Sequence, residues 1–181
     1  MPRAGLDPQT ITAAAAEIIN DQGAGALTLK AVAAALGVRP PSLYAHIKNL
    51  DELRARVATL AATQLADTLA PAAAGLSRGA AIRSVAHAYR AWVLAHPGLC
   101  EIFDRYRTPG EPAVERVVEI ALAVLRGYQL EHDEAIHAAR MLRAALQGFT
   151  MLEANGSFGI PVDVELSFDW MLMALDRGLG G

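Results

Sequence analysis

The stretch Thr28–Leu50, TLKAVAAALGVRPPSLYAHIKNL, constrains the fold of this 181-residue chain more than any other segment. Leu29, Val32, Ala33 and Leu36 recur at the spacing that places apolar side chains on one face of a helix. The Gly-Val-Arg-Pro-Pro sequence that follows predicts a tight turn, because glycine and proline both interrupt helices. A second helix, little longer than one turn, is expected from the second proline to about residue 46. Two short helices joined in this way form a helix-turn-helix, whose second helix fits a DNA major groove.

Polar side chains follow this turn in a pattern that suits nucleic acid. Ser42, Tyr44, His46 and Lys48 lie on or just after the second helix, and aliphatic residues between them can anchor it to a core. Hydroxyl, imidazole and ammonium groups match phosphate oxygens and base edges. A solvated polar face is the alternative interpretation, and His46 can also be read as a packed histidine.

Residues 8–57 resemble the amino-terminal domain of the TetR family of transcriptional regulators, without a gap. The matching motif consists of Thr28-Leu29, Val32-Ala33, Leu36-Gly37-Val38, Pro41-Ser42-Leu43-Tyr44 and His46-Ile47-Lys48-Asn49. Family members often carry a basic residue in place of Leu50, and arginines where this chain has Lys30 followed by alanines. Fewer phosphate contacts than usual are therefore expected.

We predict eight DNA-binding residues, in four groups. Thr28 can cap its helix and offer its hydroxyl to a phosphate, and Lys30 is a phosphate partner. Arg39 has the geometry for a bidentate contact to guanine. The remaining residues are Pro40 and Ser42, expected to meet a thymine methyl or a base edge, and Tyr44, His46 and Lys48, which resemble family positions that hold the DNA backbone.

Composition favours a helical protein with local DNA contacts. Hydrophobic residues make up 53% of the chain, and alanine is abundant, which favours helix. The formal net charge of −3 argues against a protein that coats nucleic acid. Lysine and arginine exceed aspartate and glutamate by six to five in residues 1–60 and fall short by ten to fourteen in residues 61–181. This asymmetry predicts moderate non-specific DNA affinity.

Neither a cofactor, a metal nor a catalytic site is expected. The chain lacks the G-x-S-x-G, H-E-x-x-H and P-loop motifs, and five positions separate His132 from His137, which points them to different helix faces. Cys100 is the only cysteine, so no internal disulfide is possible; a thiol sensor is one interpretation, an inert buried thiol the other. No apolar run reaches the ~18 residues of a membrane span, and no signal peptide is evident, so a cytoplasmic protein is expected.

Helix signals divide the chain into two predicted domains, residues 1–53 for DNA binding and 54–181 for effector binding and dimerisation. Asp7 or Thr10 can cap a first helix that ends at Gln22. A long helix should start near Asn49 or Asp51 and close at Pro71. Because this helix leaves the DNA-binding domain and enters the next domain, we expect a tilt imposed at its far end to be transmitted to the DNA-binding domain.

Further helices are predicted at about residues 77–95, 99–106, 111–127, 133–153 and 162–178. Pro97-Gly98 is expected to end the first of them, and Asp133 to cap the fourth. Apolar walls among these helices suit a small-molecule pocket, and hence a hydrophobic or aromatic effector. The predicted effector-binding residues are Gln64, Tyr89, Trp92, His96, Phe103, Tyr106 and Phe149.

The last two predicted helices are apolar over most of their circumference, so both must be buried on two sides. Pairing with a second copy across a two-fold axis achieves this most simply; a core hairpin in a monomer is the alternative. Residues 147–170 also resemble the carboxy-terminal domain of the TetR subgroup named after a Trp-His-Gly motif. Leu146-Gln147-Gly148 stands in its place, so the resemblance indicates the fold and the dimer.

These observations predict an all-α homodimeric regulator, a three-helix DNA-binding domain followed by a larger helical domain. We expect a repressor that a small effector releases from a near-palindromic operator, with half-sites about 34–36 Å apart or a multiple of that. A helical small-molecule-binding protein without DNA function is the alternative. A small helical enzyme is disfavoured by the lack of catalytic motifs.

Overall fold

The computed structural model describes residues 6–180, and all regular structure in that range is helical, as predicted. The α-helices are α1 (Pro8–Gln22), α2 (Leu29–Ala35), α3 (Leu50–Ala73), α4 (Arg78–Ala95), α5 (Pro97–Tyr106), α6 (Pro112–Leu125), α7 (His132–Ala154) and α8 (Val164–Gly180). Short 3₁₀ helices cover Ala24–Ala26, Pro40–Ala45 and Arg126–Tyr128.

The described residues form two compact units. The first contains the residues up to Thr63 together with His96–Val114, and the second contains Gln64–Ala95 and the residues from Glu115 onward. Helix α3 therefore contributes residues to both units. The predicted functional division after residue 53 stays a prediction.

The first unit is built on α1, which begins and ends where its caps predict. The Asp7 carboxylate accepts a hydrogen bond from the Thr10 backbone N–H at 2.7 Å, and this bond lowers the pKa of Asp7. Asp7, rather than Thr10, is thus the cap, and the helix ends before Gly23, where φ is 84°. The core beneath α1 consists of fully buried side chains, Ile11, Ile19, Leu27, Val32, Leu43, Leu53, Val57 and Leu99.

Helix α5 packs against α1 and depends on a glycine to do so. The preceding helix ends at Ala95, as predicted, but α5 begins at Pro97, two residues before its predicted start at residue 99. Proline suits the first helical turn because no amide hydrogen is needed there. A Cβ at Gly98 would lie 2.8 Å from the Ile19 carbonyl oxygen, so only glycine allows this close approach.

The second unit packs α4 against α7 and α8. Its core includes Ile82, Val93, Leu142, Phe168 and Leu172, all buried. We predicted that Asp133 caps α7, but the cap is Glu131. The Glu131 backbone N–H donates to the Glu134 carboxylate at 3.0 Å. A glutamate at that position closes a capping box with the residue three before it.

Helix α3 continues beyond the residue predicted to close it. Pro71 lies inside the helix, which ends at Ala73. Proline removes one amide donor, but the final turn still forms, with the Ala74 N–H bonded to the Pro71 carbonyl at 3.3 Å. The chain then reverses at Gly75, where φ is 72°.

Candidate DNA-binding surface and effector region

The turn between α2 and the following 3₁₀ helix has the conformation that a helix-turn-helix requires. The Thr28 hydroxyl caps α2 by accepting the Ala31 backbone N–H at 3.0 Å. After the helix, the Val38 N–H bonds to the Ala33 carbonyl at 3.0 Å, and Gly37 adopts a φ of 65°. This left-handed conformation favours glycine over residues with a Cβ, so the sequence specifies where the chain turns.

The second helix of the motif is short, as predicted; it begins at Pro40 rather than at Pro41, and it is a 3₁₀ helix. Pro40 and Pro41 bring no amide hydrogen, so the first hydrogen bond comes from Ser42 to the Arg39 carbonyl at 2.9 Å. The His46 and Ile47 amides then both bond to the Leu43 carbonyl, at 2.9 and 3.0 Å. Leu43 and Ile47 are buried and fix this element to the core.

Seven of the eight predicted DNA-binding residues are exposed. Tyr44 is the clearest case, because this residue is 58% exposed although its neighbour Leu43 is fully buried. A large aromatic side chain held in solvent is typical of a binding surface. The half-buried member of the predicted set is His46, and the exposed members are Thr28, Lys30, Arg39, Pro40, Ser42, Tyr44 and Lys48.

Charges at this surface leave cations available for phosphate. Among the described residues, Lys30, Arg39 and Lys48 form no ion pair within 4 Å. The nearby Glu52 carboxylate accepts the Lys48 backbone N–H at 2.6 Å and pairs with Arg56 at 2.9 Å. The backbone bond from Lys48 is the main reason why the pKa of Glu52 is lowered. Asn49 caps α3 by accepting the Glu52 N–H at 2.8 Å.

Three of the predicted effector-binding residues belong to the first unit. The His96 ring nitrogen Nδ1 lies 3.3 Å from the Asn20 side-chain oxygen. Phe103 is buried, and Tyr106 lies under a guanidinium, with the Arg54 Cζ 5.3 Å from its ring centroid. The first two of these residues are tied into the packing of α5 and α1.

The other four predicted residues belong to the second unit. Phe149 is in an aromatic cluster, with ring centroids 4.8 Å from Phe158 and 5.0 Å from Phe168. Trp92 is buried, whereas Gln64 and Tyr89 are half-buried. The effector-binding assignment of all seven residues stays a prediction.

A cluster of charged residues in the second unit was missed by the sequence analysis. Arg90 is only 9% exposed, and its Nε and Nη2 donate to the two oxygens of Glu153, each at 2.6 Å. Its Nη1 donates to Glu165. These bonds, chiefly those to Glu153, raise the pKa of Arg90 above its usual value. One signal was available in the sequence, because Arg90 lies within the buried stripe of α4, four residues after Ala86 and three before Val93.

The cluster continues along α4 toward the surface. The His87 ring nitrogens lie 3.4 Å from a Glu165 oxygen and 3.1 Å from an Asp169 oxygen. Asp169 also accepts a hydrogen bond from Arg83 at 2.7 Å. Three basic residues of α4 therefore face three acidic residues, one at the end of α7 and two on α8.

An open groove of about 520 Å³ lies at the beginning of α4, lined by Ser77, Arg78, Gly79, Ala80, Arg83, Leu172, Met173 and Asp176. The Tyr128 hydroxyl donates to Asp176 beside it, and burial together with this carboxylate raises the pKa of Tyr128. The predicted effector-binding residues do not line this groove.

Two family descriptions match the chain in succession. Residues 11–57 match the bacterial regulatory proteins of the tetR family, and residues 82–175 match the tetracyclin repressor-like carboxy-terminal domain. The chain belongs to the TetR family. The family assignment made from the helix-turn-helix motif is therefore confirmed, and the family's members are transcriptional regulators rather than enzymes.

Two curated relatives support the assignment over the whole chain. The HTH-type transcriptional regulator YobS of Bacillus subtilis strain 168 is 36% identical over 98% of this chain and 95% of its own length. The HTH-type transcriptional regulator Rv0681 of Mycobacterium tuberculosis H37Rv is 31% identical over 97% of this chain and 83% of its own. Both are described as uncharacterised regulators.

Solved structures share the fold of this TetR-family chain. ActR of Streptomyces coelicolor, in complex with (S)-DNPA, has a TM-score of 0.75 and 21% identity, over 98% of each chain. A TetR variant of Acinetobacter baumannii AYE, in complex with minocycline, has a TM-score of 0.75 and 24% identity, over 96% of each chain. Within residues 6–180, no helix has the length and apolar character needed to cross a membrane.

Proposed function

We propose that this TetR-family protein is a ligand-responsive repressor that binds a near-palindromic operator as a homodimer. The observation that carries the proposal is the exposed set Arg39, Tyr44 and Lys48, held in solvent above the buried Leu43 and Ile47. Polar groups fixed to a rigid support can contact a duplex at low entropic cost. As a DNA-binding regulator, the protein is inferred to work in the cytoplasm.

The homodimer is supported by exposed apolar side chains on the last two helices. On α8, Leu166 is 65% exposed and Trp170 is 70% exposed, and Met173 follows at the next helical spacing. On α7, Met141 and Leu152 are also exposed. Apolar residues at positions i, i+4 and i+7 form one face that needs a partner. A second copy that presents the same face would cover it across a two-fold axis.

The effector proposal rests on the family and on the aromatic content of the second unit. ActR and the TetR variant are bound to small molecules in their solved structures. In this chain Trp92 and Phe149 contribute apolar surface to the second unit. We therefore propose a hydrophobic or aromatic effector. It would favour a dimer in which the spacing of the two DNA-binding domains does not match the half-sites of the operator. By linkage, the operator must weaken effector binding by the same factor.

A gel-shift assay with the DNA upstream of the protein's own gene tests the proposal. We expect a specific complex that survives competition by unrelated duplex, and a dimer in sedimentation at the same protein concentration. Binding that is equally strong to every duplex, or absent, would contradict the repressor proposal. Absence of any complex would favour the alternative, a helical small-molecule-binding protein without DNA function.

A further inference from the structure

The buried arginine of α4 is placed where it can fix the orientation of α8. We propose that Arg90 is a positioning residue for dimerisation, holding α8 so that Leu166, Trp170 and Met173 face outward. This inference rests on the proposed homodimer. It assigns a role to a charged cluster that adjoins one predicted effector-binding residue, because Phe168 contacts both Arg90 and Phe149.

Arg90 joins the end of one helix to the beginning of the next. Glu153 is the penultimate residue of α7 and Glu165 the second residue of α8, and both carboxylates accept hydrogen bonds from the same guanidinium. Residues 155–163 between the two helices are exposed. Phe158 attaches this loop to Phe149, at 4.8 Å between ring centroids, whereas Gly156, Ser157 and Gly159 bring little or no side chain. The guanidinium supplies a fixed point.

A second contact fixes the rotation of α8 about its own axis. The Arg90 guanidinium carbon lies 4.7 Å from the ring centroid of Phe168, which is fully buried. Glu165 and Phe168 are three residues apart and therefore lie on the same helix face. With that face held against α4, Leu166 and Trp170 must point away from it. A rotation by one residue, about 100°, would turn the ring of Trp170 away from the proposed interface.

The directional character of these contacts is the reason for assigning them a positioning role. A buried ion pair adds little stability compared with apolar residues of similar volume. A fork of two N–H groups on one carboxylate, however, is satisfied in a narrow range of orientations, whereas apolar contacts are non-directional. The buried Phe168 and Leu172 hold one face of α8 on the core, and the fork narrows the range of rotations that this burial allows.

Sedimentation equilibrium of the Arg90→Lys variant tests the proposal. Lysine keeps the positive charge but cannot form the fork with Glu153 and the bond to Glu165 together. We expect the dimer dissociation constant to rise about tenfold or more, because α8 is then less firmly oriented in each free copy and must be ordered in both copies when the dimer forms. Arg116→Lys is the matched control, since Arg116 forms an exposed ion pair with Asp67 at 2.5 Å. This control should leave the constant unchanged within about twofold.

Hydrogen exchange separates positioning from general destabilisation. In a Trp170→Glu background, which removes the proposed interface, Arg90→Lys should accelerate amide exchange in the first half of α8 while α4 keeps its protection. Uniform acceleration through α4, α7 and α8 would overturn the proposal in favour of a purely structural role. If Arg90→Lys does not fold, Glu153→Gln is the second variant, and the same increase in the dissociation constant is expected.

The remaining outcomes distinguish this inference from the proposed function. A wild-type dimer whose dissociation constant is unchanged by Arg90→Lys overturns the positioning role and leaves the homodimer intact. A wild-type protein that stays monomeric over the whole concentration range overturns the homodimer and the positioning role together.

Discussion

Substitutions of Arg39 and Lys48 can distinguish a contact to a base from a contact to the DNA backbone. The Arg39 side chain is exposed at the start of the 3₁₀ helix and free of ion pairs among the described residues. We predict that Arg39→Ala costs about 1–3 kcal/mol of operator binding and relaxes preference at one base pair. Lys48→Ala, the matched control, should weaken binding to operator and unrelated duplex alike. Fluorescence anisotropy with both duplexes measures this, and unchanged operator affinity in Arg39→Ala would contradict base reading.

The buried hydroxyl of Thr150 is expected to lower the stability of the second unit. The Thr150 side chain is fully buried, and its hydroxyl has no hydrogen-bond partner among the described residues. Because an unpaired buried hydroxyl is costly, replacement by the similarly shaped valine should raise the free energy of unfolding by about 1 kcal/mol. Thr150→Ser keeps the hydroxyl and loses a methyl, so it should lower that free energy by about 1 kcal/mol. Urea denaturation compares the two, and a less stable valine variant would show that the hydroxyl is bonded.

Individual helix ends were predictable where one residue type has one function. Asp7 capped α1, and glycine at position 37 took the left-handed conformation that ends the first helix of the motif. Pro71 was wrongly predicted to close α3, and α5 begins at Pro97 rather than at residue 99, because proline is tolerated both close to the end of a helix and in its first turn. Whether a proline begins a helix or lies near its end depends on packing. The packing of α5 against α1 cannot be read from the local sequence.

The pattern of buried and exposed residues in the helix-turn-helix was predictable to a similar degree, whereas the charged cluster was not. Apolar spacing placed Leu43 and Ile47 in the core and so placed Tyr44 outside. Arg90, by contrast, pairs with residues 63 and 75 positions away in the chain. Pairing over such distances leaves no periodic pattern, and only a charge inside an apolar stripe hints at it.

The contact between α5 and α1 yields a prediction at the scale of elements. Gly98→Ala would place a Cβ 2.8 Å from the Ile19 carbonyl oxygen, which belongs to a helix and cannot move aside cheaply. We expect the free energy of unfolding to fall by about 1–3 kcal/mol. Gly25→Ala is the control, because a Cβ there meets nothing within 4 Å and φ is not positive. Thermal unfolding followed by circular dichroism compares the two variants, and equal stability would mean that α5 sits farther from α1.

At the scale of the whole molecule, the proposed dimer and the salt dependence of operator binding are linked. Each copy presents three cations in the predicted DNA surface, Lys30, Arg39 and Lys48. If all three meet phosphates in both copies, the slope of log affinity against log salt concentration should be about −5 for a dimer and about −3 for a single copy. A base contact by Arg39 makes both slopes shallower, but their ratio stays near two.

Trp170→Glu provides the single-copy form for this comparison. Trp170 is 70% exposed in the single copy, so a charge there should leave the fold intact and prevent two apolar faces from meeting. Operator affinity should fall by about 10² or more, because a second DNA-binding domain no longer binds at high effective concentration. The slope of log affinity against log salt concentration should be halved.

Val118→Glu is the matched control, a change of an exposed apolar residue on α6, and it should preserve the operator affinity and the salt slope. Anisotropy titrations at four salt concentrations, with sedimentation of the same samples, measure these quantities. A monomeric Trp170→Glu protein with the full slope would show that one copy makes all the phosphate contacts, and would remove the need for a symmetric operator.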